Sequence, residues 1–372
     1  MSLIQTKSIC IFTLNLGAGG AEKTISLLLP ELVKDYKVYL VIFQRDLYFT
    51  IPEEVNLVVF DNNKNRFFSF FYILYKYCRF LKRNKIEVSL SFLTRPNLIN
   101  GIIKVLNKKI KVIVSERCFP SKAYKSHILR YTLYKILIPL LYNRADYVFS
   151  NSHYINDDLK SNFGVIRPMF VIYNPIKEVP SELYTSTAYN EVFTIAWVGK
   201  LVKIKNPKLL IDSLKDINIE YNAFFLGEGV LKKSLVNEVV NDNIEFYGVV
   251  KDVNKYLKRA DCFVLSSNSE GFPNVVLEAM ACGLPVIATN CISGPLEILN
   301  DNDNVEIDKG EYFIAKYGIL INVGDVSGLS KALLKLFSDK ELRENLAKAS
   351  LQRVKHYSVE AIYKEIKILI ND

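Results

Sequence analysis

The sequence lacks several features that mark large classes of protein. It contains no run of about 18 uninterrupted apolar residues, so we expect no membrane-spanning helix. Residues 1–7 show no charged segment followed by a cleavable apolar stretch, so we expect no secretory signal. The six cysteines are scattered without CxxC spacing, which favours free thiols in a reducing compartment over disulfides or a zinc site.

The composition is that of a folded protein with an uneven charge. Of the 372 residues, 50% are hydrophobic and 23% are charged, which argues against disorder and coiled coil. At about 150 residues per domain, this length predicts two domains, or at most three. Residues 1–180 carry a net charge of +13 and the remainder carries −4. The first half should therefore meet an anionic partner: nucleic acid, a phosphate-bearing substrate or an anionic membrane.

Short β-branched and aromatic runs alternate with helical patterns along nearly the whole chain. The predicted strands are 8–14, 37–43, 87–92, 111–115, 193–198, 221–226, 244–247, 262–265, 285–288 and 318–321. The predicted helices are 21–33, 68–83, 128–142, 206–214, 230–239, 274–281, 328–338 and 340–355, with a last amphipathic segment at 358–370. Such alternation predicts parallel sheets in two doubly wound α/β domains.

The boundary between the domains is indicated by a polar segment with two prolines, at 175–191. We therefore expect an N-terminal acceptor-binding domain at 1–177 and a linker at 178–192. A C-terminal donor-binding domain should follow at 193–356, and a helix at 357–372 should pack back on the first domain.

A glycine-rich turn follows the first predicted strand. Gly17, Gly19 and Gly20 precede a helix, where backbone N–H groups can approach an anion. A dinucleotide-binding fingerprint would need a glycine in place of Glu22 and an acidic residue near Gln44, and a Walker motif would need Gly-Lys-Ser/Thr. Neither pattern is met, and a tight turn that simply leads into a helix stays open as the alternative.

The sharpest chemical signal is SSNSEGFPN at 266–274, which follows an apolar strand and opens a helix. Glu270 falls in the loop at the carboxyl end of that strand, where open α/β sheets bind ligands. Glu278 lies about one turn inside the helix. Both carboxylates can accept hydrogen bonds from ligand hydroxyls, and Gly271 lets backbone N–H groups point at an anion. A lone glutamate is usually a capping or solvated residue, but the whole arrangement favours a binding site.

This segment resembles the signature of glycosyltransferase family 4, retaining enzymes of the two-domain GT-B architecture. Glu270 and Glu278 stand within EGFPNVVLEAMACGLPVIAT as the Glu-x7-Glu pair of that family does. Further similar stretches are GAGGAE at 17–22, NSHYINDDL at 151–159, VIYNPI at 171–176, VGKLVKIKNP at 198–207, LGEG at 226–229 and SGPLEIL at 293–299. The resemblance implies a GT-B fold, in which two Rossmann-like doubly wound domains face a central cleft.

The resemblance also implies roles for single residues, with a UDP-sugar as the donor substrate and no cofactor. Lys200 and Lys205 stand where the family clamps the donor diphosphate, and Glu278 where it holds the ribose. The remaining donor contacts fall to Glu270, Gly271, Phe272, Pro273 and Asn274 for the sugar and diphosphate, to Val249 and Val250 for the base, and to Gly17, Gly19 and Gly20 for the β-phosphate.

Two positions argue against a catalytic histidine and against a bound metal. Many relatives carry Ser-Glu-His after the fifth strand, whereas this chain has Arg117 in place of the histidine. Arg117 offers a contact to an acceptor phosphate or a developing charge, but it is no base at neutral pH. The Asp301-Asn302-Asp303 run looks like the metal-binding motif of another glycosyltransferase class. Its turn-forming neighbours favour a turn, and we expect no essential metal.

The basic half of the chain also carries aromatic and aliphatic side chains between its charges. Residues 101–150 hold ten basic and two acidic residues, and helical segments at 67–83 and 127–144 mix aromatic, aliphatic and basic side chains. Such helices can lie in a membrane interface; the alternative is a core helix with a solvated basic edge. No nucleic-acid-binding module is recognised. We expect an anionic membrane surface as the partner, no nucleic acid, and a peripheral position on the inner, cytoplasmic face of the membrane.

The most specific similarity concerns the acceptor. The runs TRPN at 94–97 and SERCFPS at 115–121 are similar to those of bacterial N-acetylgalactosaminyltransferases that extend polyprenyl-diphosphate-linked glycans. The expected function is transfer of a sugar, first of all GalNAc, from a UDP-sugar to a lipid-linked glycan in surface polysaccharide or glycoprotein glycan assembly. Two alternatives stay open: a capsule or lipopolysaccharide hexosyltransferase that uses UDP-glucose or UDP-galactose, and a non-catalytic GT-B partner subunit.

Overall fold

The computed structural model describes residues 7–60, 66–125, 127–177, 192–239 and 243–372. The chain divides into two compact units, one within Met1–Lys177 and Ser358–Asp372 and the other within Glu178–Tyr357. The predicted linker, 178–192, lies outside the described residues except for Val192.

The first unit contains a parallel sheet of seven strands in the order β3-β2-β1-β4-β5-β6-β7. Its strands are β1 (Ser8–Thr13), β2 (Lys37–Ile42), β3 (Asn56–Val59), β4 (Val88–Phe92), β5 (Lys111–Glu116), β6 (Tyr147–Ser150) and β7 (Met169–Val171). Its helices are α1 (Gly20–Asp35), α2 (Arg66–Arg83), α3 (Thr94–Leu106), α4 (Pro120–Tyr124), α5 (Ile128–Tyr142), α6 (His153–Phe163) and, from the end of the chain, α14 (Val359–Asn371).

The central strands of this sheet are apolar almost throughout because helices cover both of its faces. In β1, Cys10 and Phe12 pack with α2 and α3 on one side, whereas Ile9 and Ile11 pack with α1 and α14 on the other. Local signals fix the helix ends. At the start of α6, for example, the Ser152 hydroxyl accepts a hydrogen bond from the N–H of Tyr154 at 3.2 Å.

The last helix, α14, belongs to the core of the first unit. Its Ile362, Ile366 and Ile370 are buried with the apolar face of α1. At the rim of this contact, Lys367 forms an ion pair with Asp35 at 2.5 Å. Residues more than 300 positions apart in sequence therefore share one hydrophobic core.

The second unit contains a seven-stranded sheet in the order β10-β9-β8-β11-β12-β14-β13, parallel except for the β13 edge. Its strands are β8 (Phe193–Val198), β9 (Tyr221–Leu226), β10 (Ile244–Gly248), β11 (Cys262–Leu265), β12 (Val286–Thr289), β13 (Tyr312–Ile314) and β14 (Ile319–Ile321). Its helices are α7 (Pro207–Lys215), α8 (Lys232–Glu238), α9 (Val253–Leu257), α10 (Asn274–Ala281), α11 (Pro295–Asn300), α12 (Val326–Ser338) and α13 (Lys340–Val354).

The predicted fold class is confirmed, since each unit is a doubly wound, Rossmann-like α/β layer structure. The sequence analysis missed the short strands β3, β6, β7 and β13 and several helices, including α3. The buried face of α3 carries Asn97 and Asn100, both fully buried, so its apolar pattern is interrupted. Within the described part of the chain, no helix is both long and apolar enough to cross a bilayer.

Two isoleucines of α14 provide a matched test of its packing. Ile366 is 1% exposed and Ile368 is 65% exposed. We expect Ile366→Ala to lower the free energy of unfolding by about 2–5 kcal/mol, because it leaves a cavity between α14 and α1. Ile368→Ala should change it by less than about 0.5 kcal/mol. Urea unfolding followed by circular dichroism measures both; equal losses in the two variants would contradict the packing.

Candidate active site

The candidate site lies at the carboxyl edge of the second sheet, where the strand order reverses between β8 and β11. In doubly wound sheets, the loops that leave the two central strands at this point diverge and open a crevice. Here these loops are residues 199–206 after β8 and residues 266–273 after β11. Six of the site residues predicted from the sequence lie in these loops: Lys200, Lys205, Glu270, Gly271, Phe272 and Pro273.

An ion pair joins the two loops. The ammonium group of Lys205 lies 2.6 Å from each carboxylate oxygen of Glu270. The Glu270 side chain is only 6% exposed, and its carboxylate also accepts a hydrogen bond from the Ser267 hydroxyl at 2.5 Å. The Lys205 side chain is 30% exposed, so it is partly accessible to solvent. The pair places a cation at the surface of the crevice and a carboxylate just behind it.

Buried hydrogen bonds hold the two loops in register. The Ser266 hydroxyl accepts from the indole N–H of Trp197 at 2.8 Å and lies 2.8 Å from the carbonyl oxygen of Asn206. The backbone N–H of Asn268 donates to the carbonyl of Ile204 at 2.8 Å. The position of Lys205 is therefore set by its neighbours on the backbone as well as by Glu270.

Glycines allow backbone segments around the site to approach one another. Gly227 has φ +133°, and a Cβ there would collide with the carbonyl oxygen of Gly199. Gly294 has φ +100°, and a Cβ there would collide with the ring of Pro273. Next to it, the Ser293 hydroxyl donates to the carbonyl of Gly271. Larger residues at 227 or 294 would displace the loops that carry the candidate site.

The segment from Gly271 to Asn274 leads directly into α10. Phe272 and Pro273 are buried, whereas Gly271, Asn274 and Glu278 are half-buried. Because Glu278 lies one turn into α10, it stands on the same edge of the sheet as Glu270. Gly271, Asn274 and the two glutamates thus offer a mixed set of backbone and side-chain groups to a ligand.

The remaining predicted donor contacts lie on the neighbouring strand ends. Lys200 follows β8 and is exposed, with no ion pair among the described residues. Val249 and Val250 follow β10, and Val249 is 77% exposed. The N–H of Gly227 donates to the carbonyl of Gly248 at 2.7 Å, which ties the loop after β9 to the end of β10. Lys200 and the two valines therefore lie at the carboxyl edge of the second sheet. Among the described residues, the ion pair of Glu270 is with Lys205 and not with Lys200.

In the first unit, the predicted glycine loop connects β1 to α1. A Cβ at Gly17 would lie 2.7 Å from a carboxylate oxygen of Asp46, and one at Gly19 would collide with the carboxylate of Glu22. Gly20 is the first residue of α1 and is exposed. Burial raises the pKa of Glu22, and the nearby Asp46 raises it further. An anion that approaches this loop therefore meets the carboxyl group of Glu22 as well as backbone N–H groups.

Arg117 lies in the interior of the first unit, 8% exposed, between the rings of Phe92 and Phe149 at 5.1 Å from each centroid. Its Nε donates to Ser115 at 2.7 Å and its Nη1 to Asn174 at 2.8 Å. Burial lowers the pKa of Arg117 to about 9. Only Nη2 lacks a partner among the described groups. Most of the guanidinium is thus engaged in holding strand ends together, which the sequence analysis did not anticipate.

A second cation, Arg95, was not assigned to the site from the sequence. It follows β4, next to the point where the strand order of the first sheet reverses between β1 and β4. Its guanidinium lies 5.5 Å from the ring centroid of Phe43 and donates to the Ser69 hydroxyl at 3.3 Å. Together with Leu14, Asn15, Gln44 and Ile73, these residues line a cavity of about 160 Å³. Arg95 could have been identified from the sequence, because the run TRPN at 94–97 comes directly after an apolar strand.

A buried polar network supports this edge of the first sheet. Glu116 is fully buried and accepts hydrogen bonds from the hydroxyls of Tyr142 at 2.7 Å and Thr94 at 2.9 Å. Burial raises the pKa of Glu116. Asn97 extends the network, since its amide donates to the Ser115 carbonyl at 2.8 Å. The carboxyl ends of β4 and β5 are therefore held together by side chains from α3 and α5.

The structure also accounts for the aspartates that resembled a metal-binding motif. Asp301 and Asn302 adopt left-handed conformations in a turn that ends α11. Asp301 forms ion pairs with Arg353 at 2.7 Å and with Lys316 at 3.2 Å, and Asp303 pairs with Lys316 at 2.7 Å. Within the described ranges, no group of three or more potential metal ligands is found.

Comparison with known proteins gives the family of the chain. The model described as "Glycosyltransferase Family 4" matches residues 18–178, and the model "Glycosyl transferases group 1" matches residues 185–353. An uncharacterized glycosyltransferase of Methanocaldococcus jannaschii is 31% identical over 73% of this chain and 74% of its own length.

Another relative matches nearly the full length. It is N-acetylgalactosamine-N,N'-diacetylbacillosaminyl-diphospho-undecaprenol 4-alpha-N-acetylgalactosaminyltransferase of Campylobacter jejuni, 28% identical over 93% of this chain and 94% of its own. Among solved structures, HepE of Anabaena in complex with UDP aligns with a TM-score of 0.78, covering 98% of this chain and 99% of that one, at 18% identity. The two family models and these alignments show that the chain belongs to glycosyltransferase family 4 and is a glycosyltransferase of the GT-B fold.

Proposed function

We propose that the protein transfers a sugar from a UDP-sugar to a polyprenyl-diphosphate-linked glycan, with retention of the anomeric configuration. GalNAc is the proposed sugar. The reaction would take place at the cytoplasmic face of the membrane that holds the acceptor, during assembly of a surface polysaccharide or of the glycan of a glycoprotein. The observation that carries this proposal is the Lys205–Glu270 pair, at the crevice of the second sheet.

The pair suits a ligand that has a diphosphate beside a sugar. An ammonium group has three N–H donors, and Glu270 engages Lys205 from one side only. The accessible side of Lys205 can therefore bind a phosphate oxygen while Glu270 keeps the ammonium in place. Lys200, exposed on the same loop, adds a second cation for the diphosphate. As compact point charges, the two lysines stabilise negative charge without the fixed geometry of an arginine.

Other groups at this edge account for the rest of the donor. In this proposal Glu278, half-buried on α10, accepts hydrogen bonds from the ribose hydroxyls, and Val249 and Val250 offer backbone and apolar contact to the base. Glu270, with the backbone of Gly271 to Asn274, would contact the sugar and the diphosphate. The neighbour HepE was crystallised with UDP, which agrees with a uridine nucleotide as the donor carrier.

The proposed chemistry needs no carboxylate nucleophile. As the bond between the anomeric carbon and the UDP oxygen breaks, the acceptor hydroxyl attacks from the same face of the sugar. Negative charge grows on the leaving phosphate, where Lys200, Lys205 and backbone N–H groups stabilise it. That phosphate oxygen takes the proton of the attacking hydroxyl, so UDP leaves and a glycosidic bond forms. No metal is proposed, because the lysines supply the positive charge that the leaving group requires.

The first unit would bind the acceptor. The cavity beside Arg95 has room for one sugar residue rather than a nucleotide, and its amide, hydroxyl and aromatic lining suits a glycan end. A lipid-linked acceptor is supported by the name of the Campylobacter jejuni relative, which acts on a diphospho-undecaprenol-linked sugar. Arg117 contributes through the strand ends that it fixes, and among the described residues its Nη2 has no hydrogen-bond partner.

Donor hydrolysis measured across a panel of UDP-sugars separates the candidate functions. We expect UDP release to be fastest with UDP-GalNAc, in keeping with the N-acetylgalactosaminyltransferase relative. Faster release from UDP-glucose or UDP-galactose would instead support a capsule or lipopolysaccharide hexosyltransferase. No release with any donor, even with a lipid-linked acceptor present, would indicate a non-catalytic partner subunit.

Two lysines of one loop provide a matched test of the diphosphate contact. We expect Lys205→Ala to lower kcat/KM for transfer about 10²- to 10³-fold, because a charge that stabilises the leaving group is lost. Lys203→Ala should retain normal activity, since Lys203 is exposed on the same loop. Steady-state kinetics on both variants, with circular dichroism to verify folding, make the comparison. Near-normal activity of a folded Lys205→Ala would refute the assignment.

Substitution of Arg95 should weaken binding of the acceptor and leave binding of the donor unchanged. We expect Arg95→Ala to raise the KM for the acceptor about tenfold or more, since a charged hydrogen-bond donor is removed from the cavity. UDP binding, measured by calorimetry, should stay the same. Arg79→Ala, an exposed position on α2, is the control. If the acceptor KM is unchanged while the donor KM rises, Arg95 has been placed in the wrong site.

A further inference from the structure

Helix α5 carries an apolar stripe on its outer face. Leu129 is 89% exposed, Leu133 50%, Ile136 61% and Leu140 54%. Their spacing of four, three and four residues puts all four on one side of the helix. Ile128, 76% exposed, is a further exposed apolar side chain at the first residue of the helix.

The opposite face of α5 is packed inside the first unit, so the direction of the stripe is fixed. Ile138, Leu141 and Tyr142 are buried in the core. Tyr134 packs edge-on against Tyr124 with centroids 4.7 Å apart, and Tyr131 packs against Phe163 at 5.8 Å. The stripe therefore cannot turn inward without disrupting the core, and it stays exposed in the folded unit.

The chain segment that contains the stripe carries basic side chains and no acidic ones. Residues 117–145 contain no aspartate or glutamate. The exposed cations of this stretch are Lys122, Lys125, Arg130, Lys135 and Arg144. Beside the stripe, Leu140 shares a groove with Ile102 and Val105, flanked by Lys108, Arg144 and Lys104, the last of which pairs with Asp146 at 2.7 Å. An apolar strip bordered by cations is complementary to a bilayer that contains anionic lipids.

The structure separates two helices that look alike in sequence. Helix α2 is also rich in aromatic and basic residues, but its Ile73, Tyr77 and Leu81 are buried in the core. Among its described side chains, the large hydrophobic ones that are exposed are Phe71 and Tyr75. The apolar face of α2 is thus used by the fold, whereas α5 keeps an apolar face for a partner.

We propose that α5 is the membrane-docking element: its stripe enters the interface of an anionic bilayer, and its flanking cations contact lipid phosphates. This inference rests on the proposed function, in which the acceptor is held in a membrane. The middle of α5 lies near the acceptor cavity, because Tyr124, which packs on Tyr134, donates a hydrogen bond to Thr94 at 3.0 Å. Docking through α5 brings the lipid surface to the edge of the sheet where Arg95 lies.

Co-sedimentation of the full chain with vesicles tests the proposal. We expect binding to vesicles that contain phosphatidylglycerol and much weaker binding to phosphatidylcholine alone. The double variant Leu129→Ser/Leu133→Ser should bind the anionic vesicles at least about tenfold more weakly, since apolar area is lost from the interface. Arg130→Gln/Lys135→Gln should reduce the preference for anionic lipid. The matched control on α2, Phe71→Ser/Tyr75→Ser, should bind as the unaltered protein does.

Several results would overturn the proposal. One is wild-type vesicle binding by Leu129→Ser/Leu133→Ser; another is loss of binding in the α2 control. A third is a dimer that this α5 variant converts to a monomer while vesicle binding persists, because a second copy would then be the partner of the stripe. Thermal stabilisation by UDP, measured on the same variants, reports on the donor site. Its absence would count against the proposed function and leave the vesicle result standing.

Discussion

The buried carboxylate of Glu270 is the constraint on which the second unit depends. A carboxylate with little exposure is stable only when it is paired and hydrogen-bonded, and Lys205 and Ser267 meet that need. Lys205 reaches Glu270 because Ser266 and Trp197 hold the loop after β8 against the loop after β11. The same contacts leave the Lys205 side chain partly exposed. The contacts that hold the two loops together therefore also position Lys205 and Glu270, the groups that we propose bind the donor.

The first unit uses the same topology for a different surface chemistry. Where the strand order of the first sheet reverses, the carboxylate of Glu22 lies against the glycine turn. The guanidinium of Arg95 lies over the ring of Phe43. A dinucleotide-binding domain needs an open glycine loop and an acidic residue in this region. The result is a small cavity with a cation, amides and an aromatic ring. The basic excess of this half is concentrated outside it, around α5. In the function that we propose, one architecture, repeated, provides a nucleotide-binding edge in one unit and a glycan-binding and lipid-facing surface in the other.

The sequence predicted the architecture because strands buried on both faces read as continuous apolar runs, as β1 and β11 do. It did not predict β7 or β13, because these edge strands have three residues each and are too short to show a pattern. The Lys205–Glu270 contact was not predictable from spacing, since 65 residues separate the partners. Arg117 looked like a ligand contact, but its burial between two rings depends on tertiary packing. The difference between α2 and α5 also depends on tertiary packing. Both helices are rich in aromatic and basic residues, but their exposed faces differ.

The central claim is that the second unit binds the uridine diphosphate part of the donor, and a thermal-shift titration of the full chain tests it most directly. A ligand that binds only the folded state stabilises it by about 2.7 kcal/mol at a hundredfold excess over its dissociation constant. We expect UDP to raise the melting temperature in a concentration-dependent manner and GDP to raise it less. Stabilisation by GDP alone, or no response to UDP and any UDP-sugar, would contradict it.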